Sequence, residues 1–226
     1  LRPRLGGGAL VARAHDLAVA DRDDLADLRA AVRVVDDPRL RCNDGGCDPE
    51  GRFYVGTAAV DRARQAGAVW RWDGDGGLLD TVSLLTVAGG LAWSLDGGTA
   101  YLNDSGARVT FAFTHDPARG PINRHLLLEH EDGDPGGLCG DAEGGLWVAL
   151  AGAGEVRRFD PSGGVSEVVE LPVSRPTSCC FGGAGLATLF ITTSRDGITT
   201  EEEPEAGSVF CCTPGTAGAE VPGFAG

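Results

Sequence analysis

Four times along the chain, a tight turn leads into a short apolar run. Asp48-Pro49-Glu50-Gly51 precedes Phe53-Tyr54-Val55, and Leu95-Asp96-Gly97-Gly98 precedes Ala100-Tyr101-Leu102. Asp141-Ala142-Glu143-Gly144 precedes Leu146-Trp147-Val148, and Phe181 to Gly185 precedes Leu189-Phe190-Ile191. Turn chemistry followed by β-branched and aromatic residues predicts strands. A second run follows each first one: Ala68 to Asp73, Val109 to Phe113 before Asp116, Val156 to Asp160, and Ser208-Val209-Phe210. Tyr54 and Tyr101 are 47 positions apart, Trp147 lies a further 46 on and Phe190 a further 43. A period of roughly 40 to 50 residues with several short strands predicts the blades of a β-propeller. An earlier, weaker copy surrounds Leu10, 44 positions before Tyr54. Ala9 to Ala20 alternates as a hairpin would. Asp21 to Val35, despite leucines at helix-like intervals, reads as strand and loop in this setting. The pattern therefore predicts an all-β chain with about five recognisable blade units. A two-sheet sandwich with coincidental spacing is the alternative.

Composition narrows this picture without changing it. The 226 residues suffice for a substantial core in one domain, and no linker or charge block divides residues 1–226. The 36 glycines suit many tight turns. A net charge of -14 opposes a sequence-independent hold on nucleic acid or anionic lipid, so neither is expected as a partner. No apolar run approaches membrane-spanning length, and no charged-then-apolar leader opens the chain. The seven cysteines include the vicinal pairs Cys179-Cys180 and Cys211-Cys212 and form no CxxC. They read as reduced thiols and point to a cytoplasmic protein. The chain contains no methionine and begins with leucine, from which a start lost by processing or truncation is expected.

The candidate chemistry gathers in Arg41 to Gly56, where Arg41, Asn43 and Asp44 converge at a glycine turn ahead of a strand. The four histidines form no HxH or HExxH pattern, and no GxSxG elbow exists for a serine nucleophile. Cys42 has no histidine partner that the sequence can place. The four tryptophans lie on predicted strands and read as blade packing. Glu201-Glu202-Glu203-Pro204 reads as a solvated loop.

RCNDG at 41–45, GLAWSLD at 90–96, DAEGGLWVA at 141–149, TSCCFGG at 177–183, RDG at 195–197, PEAG at 204–207 and the terminal FAG appear in an order that resembles the SMP-30/gluconolactonase/regucalcin family. The resemblance implies a six-bladed β-propeller, here N-terminally incomplete because the family's first blade is absent. It implies a divalent cation (Ca, Zn, Mn or Mg) in the central channel, calcium binding, and hydrolysis of sugar-acid lactones, a step of ascorbate synthesis. Such a cation would polarise the lactone carbonyl, with a carboxylate assisting water. The family's substrate-binding positions fall on Arg41 and Asn43, and its next acid on Asp61. Its metal-ligand positions fall on Gly89 and Gly136, the latter also that of the catalytic aspartate. The third ligand, a glutamate, belongs to the absent first blade. Asp134, two residues before Gly136, is the one nearby substitute ligand, and Asn103-Asp104 another oxygen pair. Two readings follow: a gluconolactonase with impaired activity, or a non-catalytic propeller with no metal site. An incomplete ring is also expected to expose strand edges and to self-associate.

Overall fold

In the computed structural model, which describes residues 1–226, one repeat unit gives one antiparallel sheet. The first sheet holds β1 (Arg2–Pro3), β2 (Ala9–Ala12), β3 (Asp16–Ala20) and β4 (Arg29–Arg33). The second holds β5 (Leu40–Cys47), β6 (Phe53–Ala59), β7 (Gly67–Trp72) and β8 (Leu79–Leu85). The third holds β9 (Ala88–Trp93), β10 (Thr99–Asp104), β11 (Val109–Asp116) and β12 (Gly120–Glu129). The fourth holds β13 (Asp134–Gly140), β14 (Leu146–Ala151), β15 (Glu155–Phe159) and β16 (Val165–Glu170). The fifth has three strands: β17 (Pro176–Gly182), β18 (Thr188–Thr193) and β19 (Val209–Cys212). Each sheet pairs its strands in chain order, which is propeller topology. No helix is long and apolar enough to cross a membrane.

The repeated turns share one device. Asp48 accepts the Arg52 amide at 2.9 Å and the Arg52 Nε at 2.6 Å. Asp141, fully buried, accepts the Gly145 amide at 2.8 Å, the Trp147 indole at 2.8 Å and the Arg158 Nε at 2.6 Å. A carboxylate that satisfies several donors of its own turn locks the entry to the next strand, which is why aspartate recurs there.

Four apolar clusters fill the seams between consecutive sheets. Leu10, Leu17 and Val19 meet Phe53, Val55 and Trp72 between the first and second sheets. Tyr54, Val69 and Leu85 meet Leu91, Leu102 and Phe113 at the next seam. Leu138, Leu146 and Val148 take Ala92, Tyr101 and Leu128 against them, and Trp147 and Val156 pack with Cys179, Leu189 and Ile191. No such cluster joins the fifth sheet to the first, and the outer face of the fifth leaves Cys180, Phe190, Val209 and Cys211 largely uncovered. The C-terminal segment crosses instead. Ala219 donates to the Gly140 carbonyl at 3.1 Å, Phe224 to that of Pro3 at 2.9 Å and Ala225 to that of Gly51 at 2.9 Å. Phe224 is fully buried and stacks on Trp72 with centroids 5.2 Å apart.

Candidate functional site

The innermost strands β5, β9, β13 and β17 each break register at one level. Asn43 and Asp44 together oppose Gly56, because Cys42 pairs with Thr57 and Gly45 with Val55. Gly89 and Gly90 oppose Asn103, Gly136 and Gly137 oppose Ala149, and Thr177 is the extra residue of β17. A β-bulge re-aims the residues it contains. Here the bulges ring a polar pit of about 280 Å³ lined by Asn43, Asp44, Gly89, Gly136, Gly137, Thr177 and Ser178. At the other ends of the same strands a wider cavity of about 650 Å³ opens, walled by residues such as Leu91, Trp93, Leu138, Cys139 and Cys179 and bordered by the C-terminal segment 218–222. Asp44 and Ser178 line both.

Arg41 and Asn43 come together: Arg41 Nη1 donates to Asn43 Oδ1 at 2.8 Å, and Asn43 Nδ2 donates to the Ala88 carbonyl at 2.9 Å. Arg41 stands exposed beside the pit, with its fork of donors only partly engaged. Asp61 lies outside the pit lining. It is exposed on the turn after β6, where its Oδ1 accepts the Ala63 amide at 3.0 Å.

Of the expected metal positions, Gly89 and Gly136 do line the pit, Gly136 with backbone closed over it and Gly89 in a tight fit against Ser105 and Asn103. A Cβ on Gly136 would lie 2.3 Å from the Thr177 carbonyl oxygen, and one on Gly89 3.0 Å from Ser105 Oγ. Asp134 is held elsewhere, its Oδ2 accepting from Arg62 at 3.0 Å and its Oδ1 from Arg108 at 2.9 Å. Asp104 caps a turn, accepting the Thr86 and Val87 amides at 2.8 and 3.0 Å. Asn103 donates to the Gly136 carbonyl at 2.7 Å and accepts from the Thr110 hydroxyl at 2.7 Å. That leaves Asp44 as the pit's one carboxylate, while Asn43 Oδ1 already accepts from Arg41. A hard divalent cation takes six or more oxygens, or near-octahedral geometry, from carboxylates, carbonyls and waters together. The pit does not fit that demand.

A second cluster was not legible in the sequence. His115, buried, stands with Nε2 2.8 Å from Glu50 Oε2 and 4.0 Å from Asp48 Oδ2, and the three could in principle hold a metal ion. The Trp93 indole, which can only donate, contacts His115 Nδ1 at 3.2 Å. Nδ1 is therefore the acceptor, and the neutral ring carries its proton on Nε2, directed at Glu50. Arg52 also bridges Asp48 and Glu50, at 2.6 and 2.9 Å. A protonated Nε2 and a resident guanidinium make this an ion-paired brace between blades rather than a metal centre. Only the 65-residue separation of Glu50 and His115 hid it.

All seven cysteines are unpaired. Burial pushes the Cys42 thiol up to about 11 and the Cys47 thiol up to about 12, so neither is a ready nucleophile. Cys139 and Cys179 approach to 3.8 Å in the core between the fourth and fifth sheets.

Radially arranged antiparallel sheets with a polar pit at the inner strands define a β-propeller with an axial site. Residues 1–195 match the SMP-30/gluconolactonase/LRE-like region, and the chain belongs to that family. It is 36% identical over 220 residues to regucalcin of Danio rerio, covering 93% of this chain and 74% of that protein. A solved luciferin-regenerating enzyme superposes with a TM-score of 0.88 at 26% identity, covering 99% of this chain and 80% of the other. A calcium-binding regucalcin from Agrobacterium tumefaciens superposes with a TM-score of 0.91 at 23% identity, again over 99% of this chain and 78% of the other, a likeness of fold.

Proposed function

We propose that this chain is a regucalcin-type gluconolactonase scaffold that receives sugar-acid lactones at the pit and hydrolyses them slowly, without a resident divalent cation. Membership of the family and the Arg41–Asn43 pair beside the pit support the lactone half of this reading. Arg41 offers paired donors to ring hydroxyls or to the carboxylate of the opened product, and Asn43 offers both donor and acceptor. Asp61, one turn beyond β6, would meet the far side of a bound sugar only after its loop moves inward. The five sheets are read as part of a six-bladed frame lacking one blade, in keeping with a fifth sheet that no cluster ties to the first.

The observation that carries the impaired half is the pair of glycines at 89 and 136, the second with the Thr177 carbonyl pressed against the space a side chain would need. A glycine has no side chain to coordinate with. The same observation favours, as the second reading, a propeller that binds sugar lactones without turnover.

The test is hydrolysis of D-glucono-δ-lactone by the purified chain with and without added zinc, manganese or calcium. The expected rate lies little above the buffer reaction and does not respond to the cation. A strong metal-dependent rate that Asp134→Ala abolishes would overturn the proposal and restore Asp134 as a ligand.

A further inference from the structure

We propose that Asp44 is the proton acceptor of a metal-independent lactone hydrolysis, an assignment that rests on the lactone reading above. Asp44 is the one ionisable side chain lining the pit, where the four bulges converge. The bulge opposite Gly56 puts it there, directly after Asn43 and within the same ring as Thr177 and Ser178. Its carboxylate makes no ion pair; its one hydrogen bond accepts the amide of Gly45 at 2.7 Å, leaving the second oxygen free.

The charged and titratable groups around it are few. Arg2 faces it from the first sheet, Cys47 lies on its own strand, and Cys179 approaches from β17. The bulges of β9 and β13 present only glycine. Burial pushes the Asp44 carboxyl upward, against the Gly45 amide and Arg2, which pull it down. A carboxylate shifted toward the working pH is a better base than an ordinary surface aspartate.

In the step itself, a water oxygen bonds to the lactone carbonyl carbon while Asp44 takes one of the water's protons. The tetrahedral intermediate then collapses, breaking the ring carbon–oxygen bond. The proton on Asp44 passes to the departing alkoxide, and the product is the open-chain hydroxy acid. One water is consumed and Asp44 returns to its carboxylate form.

The experiment follows D-glucono-δ-lactone hydrolysis in EDTA, corrected for buffer, for the wild type, Asp44→Asn and Asp44→Glu. Binding of the unreactive 1,5-anhydroglucitol is measured by calorimetry in parallel. Asparagine can still accept the Gly45 amide but cannot take a proton. Asp44→Asn is expected to remove the small excess over the buffer reaction with analogue binding unchanged, and Asp44→Glu to recover part of it. The wild-type rate should rise through a single ionisation above the ordinary carboxylate range, a readout that stands even if the asparagine variant misfolds. Retention of activity in Asp44→Asn, or a pH profile without that ionisation, would overturn the assignment. So would analogue binding with no turnover above buffer, which leaves the binding reading of the pit intact. Loss of turnover on adding EDTA would overturn the metal-free reading and this assignment together.

Discussion

His130 shows how a single buried side chain can reach the site without touching it. Its Nε2 lies 2.8 Å from the Thr110 hydroxyl, which donates to Asn103, which in turn donates to the Gly136 carbonyl of the bulge. Because the hydroxyl proton goes to Asn103, the Thr110 oxygen must accept from His130, so Nε2 carries a proton in the neutral ring. Burial first, and the charge of Arg157 second, lower the His130 pKa to about 4. The folded protein therefore refuses, between about pH 6.5 and 4, a proton that the unfolded chain accepts. Stability contributed this way is complete above that window and drains away as the pH falls through it. Urea unfolding at pH 7 and pH 4.5 should show wild-type stability falling by about 2 to 3 kcal/mol more than that of His130→Gln. Equal losses would show that His130 is not the group responsible. In the sequence His130 is one of four scattered histidines, and nothing local marks it, because its partners lie on strands 20 and more positions away. Arg41 and Asn43 were legible inside RCNDG, and Gly89 and Gly136 by their positions just ahead of GLAWSLD and DAEGGLWVA. Asp44 was visible in the same cluster but had no role until the bulge set it in the pit.

At the scale of elements, the strands were readable and their irregularities were not. Aspartate-bearing turns before apolar runs located β6, β10 and β14, and the glycine-rich stretch from Phe181 to Gly185 located β18, because such turns force the chain to reverse. The bulges left a fainter mark: Gly45-Gly46 borders one, and Gly89-Gly90 and Gly136-Gly137 form two others. Paired glycines on an inner strand let neighbouring backbones approach, and a Cβ on Gly90 would lie 2.5 Å from the Leu138 amide nitrogen. This close approach decides what an aspartate at position 136 would do. Gly136→Asp must push β17 away from β13, and chemical denaturation should show a loss of about 1–3 kcal/mol, in the range of overpacked cores. The variant should show no metal-dependent lactonase activity. Unchanged stability with metal-dependent activity would mean that β13 and β17 have room to part.

For the whole molecule, five sheets are joined by four apolar seams, and the C-terminal segment bridges the remaining distance. The period in the sequence announced the units but not where the ring stays open, since that depends on whether two ends meet. The exposed face of the fifth sheet carries Phe190, 37% exposed, and Val209, 65% exposed, beside Cys180 and Cys211. It bears no charge on a molecule of net charge -14, so contact between two such faces escapes like-charge repulsion. Sedimentation at rising concentration, under reducing conditions, should therefore show reversible self-association that Phe190→Glu with Val209→Glu abolishes. A monomer at all concentrations would assign that face no partner of its own kind.

The central proposal is that the axial pit, lined by Asn43 and Asp44 with Arg41 beside it, receives a sugar lactone and holds no divalent cation. Calorimetric titration of the purified, EDTA-treated protein with calcium, and separately with manganese, tests it most directly. The account predicts no saturable heat from a stoichiometric site with either ion. One tight site per chain, weakened by Asp44→Asn or Asp134→Asn, would contradict it.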